Sequence, residues 1–186
     1  DILRFSYSSM TTPNQVYDYN MRDRSRVLRK TQEVPSGHEP SNYATRRIQA
    51  SAHDGELVPI TLLYKRTTAL DGTAPLWLYG YGSYGISMPA GFNTNILSLV
   101  DRGFIYAIAH IRGGQEKGRR WYKTGKLEHK TNSFRDFISC AEHLIAAGFT
   151  AKGNIVAQGG SAGGMLMGAI SNMAPELFKG IVAEVP

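Results

Sequence analysis

Residues 155–173 read IVAQGGSAGGMLMGAISNM, in which four glycines surround a single serine between two apolar runs. The first run predicts a buried strand and the second a helix over 162–173. Gly159, Ser161 and Gly163 form the pattern G-x-S-x-G at the junction. In a strand–turn–helix of this kind the glycines permit a tight turn, and the serine hydroxyl is presented at the C-terminal edge of the sheet. The stretch therefore predicts a nucleophile at Ser161.

A simpler interpretation of the same residues is that Ser161 only caps the following helix. The pattern alone is weak, because average glycine and serine usage produces it by chance in roughly 6% of chains of this length. The flanking strand and helix favour the nucleophile. A helix that begins at the serine also offers free N–H groups and a positive dipole to an oxyanion.

The rest of the second half of the chain alternates buried strands with amphipathic helices. Strands are predicted within 74–82, 104–114, 154–158 and 180–185, and helices over 93–103 and 132–148. The longer helix has Asn132 or Ser133 as its predicted N-cap and Gly148 as its stop. This alternation predicts an α/β fold with a mostly parallel sheet.

The beginning of the chain has a different pattern. Short strands are predicted within 3–10, 15–21 and 25–30 with no helix between them. The segment EVPSGHEPSN at 33–42 has two prolines, a glycine and no apolar period, so it is the best linker candidate. We predict a first part over 1–35 and a second over 36–186. The second part opens with an antiparallel hairpin of strands 44–52 and 57–66.

Composition restricts the class of protein. The 186 residues are 42% hydrophobic and 19% charged, as in globular domains, and no apolar run reaches the about 18 residues that span a membrane. We expect no membrane partner and, with no leader at Asp1, no export. The single cysteine, Cys140, lies in an apolar helical pattern and is predicted to be buried, which fits a reducing, cytoplasmic location.

The net charge of +6 does not predict a nucleic-acid partner. The basic residues are scattered over 21–30, 45–47 and 117–130, in segments typical of solvated loops, whereas phosphate recognition needs them clustered. No cofactor or metal is predicted either. The histidines and the cysteine lack metal-ligand spacing, and residues 113–120 have Arg119 and Arg120 where a phosphate loop needs Lys and Ser or Thr.

Three histidines are candidate bases, and none is favoured. His110 ends an apolar run, but it precedes Ser161, and α/β-hydrolases place the acid and the histidine after the serine. A structural role is the simpler interpretation of His110. His53 in a hairpin turn and His143 in a helix are better explained as surface or packing residues.

Several blocks of the chain resemble the prolyl oligopeptidase family of serine peptidases. They are LYGYGSYGIS (78–87), AHIRGGQEKGRRWYKTGKL (109–127), NSFRDFISCAEHLI (132–145) and GGSAGGMLMGAISNMAPELFKGIVAEVP (159–186). The last is most similar to the oligopeptidase B branch. The resemblance implies a partial α/β-hydrolase, preceded at SYSSMTTPNQVYDYN (6–20) by the strands that close the family's β-propeller. Gln115 departs from the family, which usually has a glycine there.

The resemblance also implies roles for individual residues. Ser161 would be the nucleophile, and the N–H group of Ala162 one oxyanion donor. The hydroxyl of Tyr81 would be the other donor, although a core or turn aromatic is the plainer interpretation of that residue. Tyr84 matches an aromatic position near the pocket for the substrate residue that precedes the cleaved bond.

The family places the catalytic Asp and His, and the acidic pocket residues, after the position that corresponds to Pro186. We therefore expect these 186 residues alone to be essentially inactive and to need the remainder of the same polypeptide as a partner. The expected substrates are short basic peptides cut after Arg or Lys. Two alternatives stay open: another α/β-hydrolase, such as an esterase or an acyl-aminoacyl peptidase, and a noncatalytic interaction module.

Overall fold

Two β-sheets form the frame of the protein in the computed structural model, which describes residues 1–186. The smaller sheet is antiparallel, with the order β1-β2-β3. Its strands are β1 (Ile2–Tyr7), β2 (Gln15–Asn20) and β3 (Arg26–Thr31). These short strands follow one another without a helix, as the sequence predicted.

The larger sheet has six strands in the order β4-β5-β7-β6-β8-β9. They are β4 (Tyr43–Ser51), β5 (Leu57–Lys65), β6 (Leu76–Gly80), β7 (Ile105–Ala109), β8 (Ile155–Gly160) and β9 (Phe178–Glu184). The β4–β5 hairpin is antiparallel, and β5 also pairs antiparallel with β7. Strands β7, β6, β8 and β9 are parallel to one another, so the α/β prediction is confirmed.

Helices cover both faces of the larger sheet. They are α1 (Thr94–Val100), α2 (Arg119–Lys123), α3 (Thr131–Ala146) and α4 (Ala162–Met173). Alternate residues of a strand point to opposite faces, and β7 shows the consequence. Ile105 belongs to the core cluster that contains α3 and α4 residues, whereas its neighbour Tyr106 belongs to the cluster that contains α1 residues.

The start of α3 differs from the prediction. The helix begins at Thr131, and neither Asn132 nor Ser133 is its N-cap, because both side chains are used elsewhere. Asn132 donates to the carbonyl oxygen of Thr124, and the Ser133 hydroxyl donates to the carbonyl oxygens of Arg112 and Gly125. Tertiary hydrogen bonds therefore replace a local cap. The predicted stop at Gly148 is confirmed, with a φ of +74°.

The segment between the two sheets packs against both. The His38 ring stacks on Tyr43, and its Nε2 lies 2.7 Å from the carbonyl oxygen of Thr11. Met10 is buried in the same cluster as Tyr43. The division at 35/36 stays a prediction. Cys140 is fully buried, as expected, and none of the helices has the length and apolar character needed to cross a membrane.

Candidate active site

Ser161 lies on a sharp turn between β8 and α4. Its φ of +54° and ψ of −120° place it in a region that residues other than glycine rarely adopt. A Cβ at Gly159 would overlap the carbonyl oxygen of Gly163, so strand and helix approach closely only because position 159 has no side chain. The predicted strand–turn–helix is confirmed.

The alternative of a simple helix cap is not supported by the geometry. The Ser161 side chain makes no capping hydrogen bond, and its backbone lacks the extended conformation that an N-cap residue normally has. The residue is exposed. The N–H groups of Ala162 and Gly163, the first two of α4, donate to no backbone carbonyl and can serve an anion, whereas those of Gly164 and Met165 donate to the Ser161 carbonyl oxygen.

A cavity of about 550 Å³ opens beside Ser161. Its lining residues are Ser83, Tyr84, Tyr122, Gly125, Lys126, Leu127, Lys130, Ser161, Ala162, Met165, Val185 and Pro186. Three predicted site residues, Ser161, Ala162 and Tyr84, thus share one cavity. No histidine and no carboxylate lines it.

Backbone strain concentrates around this cavity. Apart from the last two residues of the chain, four residues other than glycine have a positive φ, and three of them line the cavity: Tyr84 (+58°), Leu127 (+51°) and Ser161 (+54°). Such conformations cost about 1–3 kcal/mol each and are typical of functional sites. The strain is therefore a second reason, besides the sequence motif, to treat this cavity as the candidate site.

Tyr81 directly follows β6 and is half-buried. Its Cα and its ring Cδ2 both lie 3.5 Å from the place that a Cβ on Gly163 would occupy. The residue thus packs against the first turn of α4, two residues after Ser161, without lining the cavity. This location is compatible with the predicted donor role, which stays a prediction.

Two lysines bring positive charge to the cavity. Burial lowers the pKa of Lys130 to about 8, and its Nζ hydrogen-bonds to the loop after Tyr81. The Nζ of Lys126 lies 4.7 Å from the centre of the Tyr122 ring. Lys126, Leu127 and Lys130 form a basic wall of the cavity. The sequence did not predict this wall, because the basic run 117–130 is typical of a solvated loop. The apolar residues Trp121 and Leu127 within that run were the sequence features that argued against a fully solvated loop.

His110 does not reach Ser161. It is buried, its Nε2 lies 2.8 Å from Thr61 Oγ1, and its Nδ1 lies 3.5 Å from Glu116 Oε1. Burial raises the pKa of Glu116, but the neighbouring His110 and the hydrogen bond from the Met88 N–H outweigh that effect and leave the pKa below its usual value. The pair lies outside the cavity, in agreement with a structural role for His110.

A buried ion cluster supports the loop that follows β7. The Arg112 guanidinium donates to Asp136 in a bidentate arrangement, with contacts of 2.8 and 2.6 Å, and also to Asp54. Arg112 and Asp136 are almost completely buried, while Asp54 is partly exposed in the β4–β5 turn. The cluster ties β7, α3 and the hairpin together. No three acidic, histidine or cysteine side chains come together in a way that could hold a metal ion.

Comparisons with known proteins agree with this geometry. The model of the prolyl oligopeptidase family matches residues 90–186, which is just over half of the chain. Dipeptidyl aminopeptidase BI of Pseudoxanthomonas mexicana is 52% identical over 100% of the chain and 26% of its own length. Protease 2 of Moraxella lacunata is 40% identical over 97% of the chain and 26% of its own length.

The solved structures include oligopeptidase B of Trypanosoma brucei with covalently bound antipain. It superposes with a TM-score of 0.90 at 50% identity, over 97% of this chain and 26% of that one. The chain belongs to the prolyl oligopeptidase family, and its fold is a partial α/β-hydrolase preceded by antiparallel strands. It spans about a quarter of the length of these relatives.

Proposed function

We propose that the chain is the nucleophile-bearing part of a serine peptidase. The observation that carries the proposal is the strained turn that presents Ser161 to a cavity in front of the free N–H groups of α4. A hydroxyl held in this way can attack a carbonyl while the developing oxyanion is stabilised by donors already in place.

The chemistry of this site is acyl transfer. Ser161 Oγ forms a bond to the peptide carbonyl carbon and loses its proton to a base. The carbon–nitrogen bond then breaks, and the leaving amine takes that proton. Water hydrolyses the resulting ester and restores the serine. The N–H group of Ala162 and the hydroxyl of Tyr81 are the proposed donors to the oxyanion.

The base and its orienting carboxylate are proposed to come from the remainder of a longer polypeptide. Two observations support this: the cavity is lined by no histidine and no acid, and the relatives are about four times as long as the chain. The isolated 186 residues should then be essentially inactive, since only about 10³–10⁴-fold catalysis over water survives the loss of triad members.

We propose cleavage after Arg or Lys in short peptides. The similarity to Protease 2 and to oligopeptidase B supports this choice. Lys126 and Lys130 would repel a basic side chain, so the substrate's Arg or Lys must point away from them, toward acidic groups outside these residues. We further propose that Tyr84 lies near the pocket for the substrate residue that precedes the cleaved bond. Arg should be preferred to Lys, because a guanidinium can make bidentate bonds to a carboxylate.

The test is kcat/KM of the full-length protein on matched acetylated peptides that end in Arg, Lys or Pro before the reporter group. A preference for Arg, then Lys, with little cleavage after Pro, is expected. A preference for Pro would overturn the assignment of specificity. Hydrolysis of simple esters without peptides would favour the other α/β-hydrolases, and no hydrolysis at all would favour a noncatalytic module.

A second candidate is removal of dipeptides from a free amino terminus. It is favoured by the 52% identity to dipeptidyl aminopeptidase BI. The two candidates differ in what they need at the substrate's amino end. A matched pair of dipeptide substrates, one free and one acetylated, separates them: an oligopeptidase cleaves both, whereas a dipeptidyl aminopeptidase cleaves only the free one.

A further inference from the structure

We propose that Lys130 is a positioning residue that holds the loop after Tyr81, and so sets the Tyr81 hydroxyl for the oxyanion. The inference rests on the proposed function of Ser161 and Tyr81. It adds a residue that neither the sequence motifs nor the proposed reaction requires.

The contacts of Lys130 converge on that loop. Its Nζ donates to the carbonyl oxygen of Gly82 at 2.5 Å and to Ser83 Oγ at 2.8 Å, and it lies 3.4 Å from Ser133 Oγ. An ammonium group has three N–H donors, so these three acceptors use all of them. None is left to bind a substrate.

The position is unfavourable for a lysine unless it serves a purpose. Burying a charge without an opposite charge costs free energy, and no carboxylate is among the hydrogen-bond partners of this ammonium. The depressed pKa reflects that cost. A methionine would fill a similar space without this free-energy cost. Ionisable groups with a pKa shifted in this way cluster at functional sites.

The loop is held from two sides. Gly82 immediately follows Tyr81, and its carbonyl oxygen accepts from Lys130. The same oxygen lies so close to Gly113 that a Cβ there would overlap it. The Gly82–Ser83 peptide, one residue beyond Tyr81, is thus fixed between the loop that follows β7 and the start of α3. Because Tyr81 also packs on Gly163, its ring has little freedom to move relative to Ser161.

This arrangement gives Lys130 an effect through Tyr81 rather than through the substrate. A small displacement of an oxyanion donor weakens transition-state binding more than ground-state binding. In the full-length protein, Lys130→Met should lower kcat by about 10- to 100-fold, as misplacements of about 1 Å do, with little change in KM. The matched control is Lys123→Met, an exposed lysine of α2 that should behave as wild type.

A double-mutant cycle with Tyr81→Phe tests the inference. If Lys130 acts through the Tyr81 hydroxyl, Lys130→Met should have much less effect, within about threefold, once that hydroxyl is gone. An equal loss of kcat in both backgrounds would overturn the proposal, and so would a KM effect alone. Lys130→Gln keeps N–H donors and should retain more activity than Lys130→Met. It replaces Lys130→Met in the cycle if the methionine variant does not fold.

The outcomes separate this inference from the proposed function. An active wild-type protein in which Lys130→Met behaves like Lys123→Met overturns the inference alone. A wild-type protein with no hydrolytic activity overturns the proposed function, and the inference with it. Crystal structures of wild type and Lys130→Met add a readout without activity: the peptide between Gly82 and Ser83 should shift in the variant, and an unmoved loop contradicts the proposal.

Discussion

The N–H group of Ser161 donates a 2.8 Å hydrogen bond to the carbonyl oxygen of Glu184. This bond ties the turn between β8 and α4 to the neighbouring strand β9, so the sheet itself holds the serine in its strained conformation. Such a turn depends on the close approach of strand and helix, and substitutions that push them apart should remove function and stability together.

Gly159→Ala tests that dependence. Its new Cβ would overlap the backbone oxygen of Gly163 and approach that of Gly80, and neither can move freely. We expect a loss of about 3 kcal/mol, at the upper end of the range for overpacking, seen as a lower Tm of the full-length protein, together with loss of hydrolysis.

The matched control is Gly168→Ala on the exposed side of α4. A Cβ there meets nothing within 4 Å, so alanine should stabilise the helix by up to about 1 kcal/mol and leave hydrolysis unchanged. Normal Tm and activity in Gly159→Ala would show that the close approach is not required.

Tyr81→Phe tests the second oxyanion donor. Phenylalanine keeps the packing against Gly163 and removes only the hydroxyl. Steady-state kinetics of the full-length protein should show kcat lower by about 10²–10³-fold with KM largely unchanged. A raised KM with an unchanged kcat would place Tyr81 in ground-state binding instead.

The buried ion cluster predicts unequal effects of two similar substitutions. Asp136→Asn removes a charge from a fully buried pair and should cost about 3–5 kcal/mol, because it leaves Arg112 undercompensated. Asp54→Asn, at the partly exposed end, should cost much less. Thermal unfolding of both variants checks the order, and equal losses would mean that burial does not govern the strength of these pairs.

The lowered pKa of Lys130 predicts how stability depends on pH. In the unfolded chain a lysine titrates near about 10.4, so between that value and the folded pKa of about 8 the unfolded state binds more protons. The stability contribution of Lys130 should therefore rise as pH increases from about 8 to about 10.4. The difference in Tm between wild type and Lys130→Met, measured across this range, should shift in favour of wild type. A difference in Tm that stays constant over this pH range would contradict a lowered pKa of Lys130 in the folded protein.

Local features made the sharp turn at Ser161 predictable from sequence. The glycines around Ser161 and the apolar period of 162–173 act within a few residues, so they could be interpreted without knowing the rest of the fold. The wall formed by Lys126, Leu127 and Lys130 could not, because the position of Lys130 depends on hydrogen bonds to a loop 48 residues earlier in the chain. The α3 cap was mispredicted for the same reason, since the Ser133 hydroxyl is committed to carbonyl groups of distant loops.

Covalent labelling tests whether Ser161 is the nucleophile. The full-length protein is treated with a fluorophosphonate, and the modified peptide is located by mass spectrometry, with Ser161→Ala as the control. We predict one adduct on the peptide that contains Ser161 and none in Ser161→Ala. A folded wild-type protein that takes up no label, or a label that persists in Ser161→Ala, would show that Ser161 is not the nucleophile.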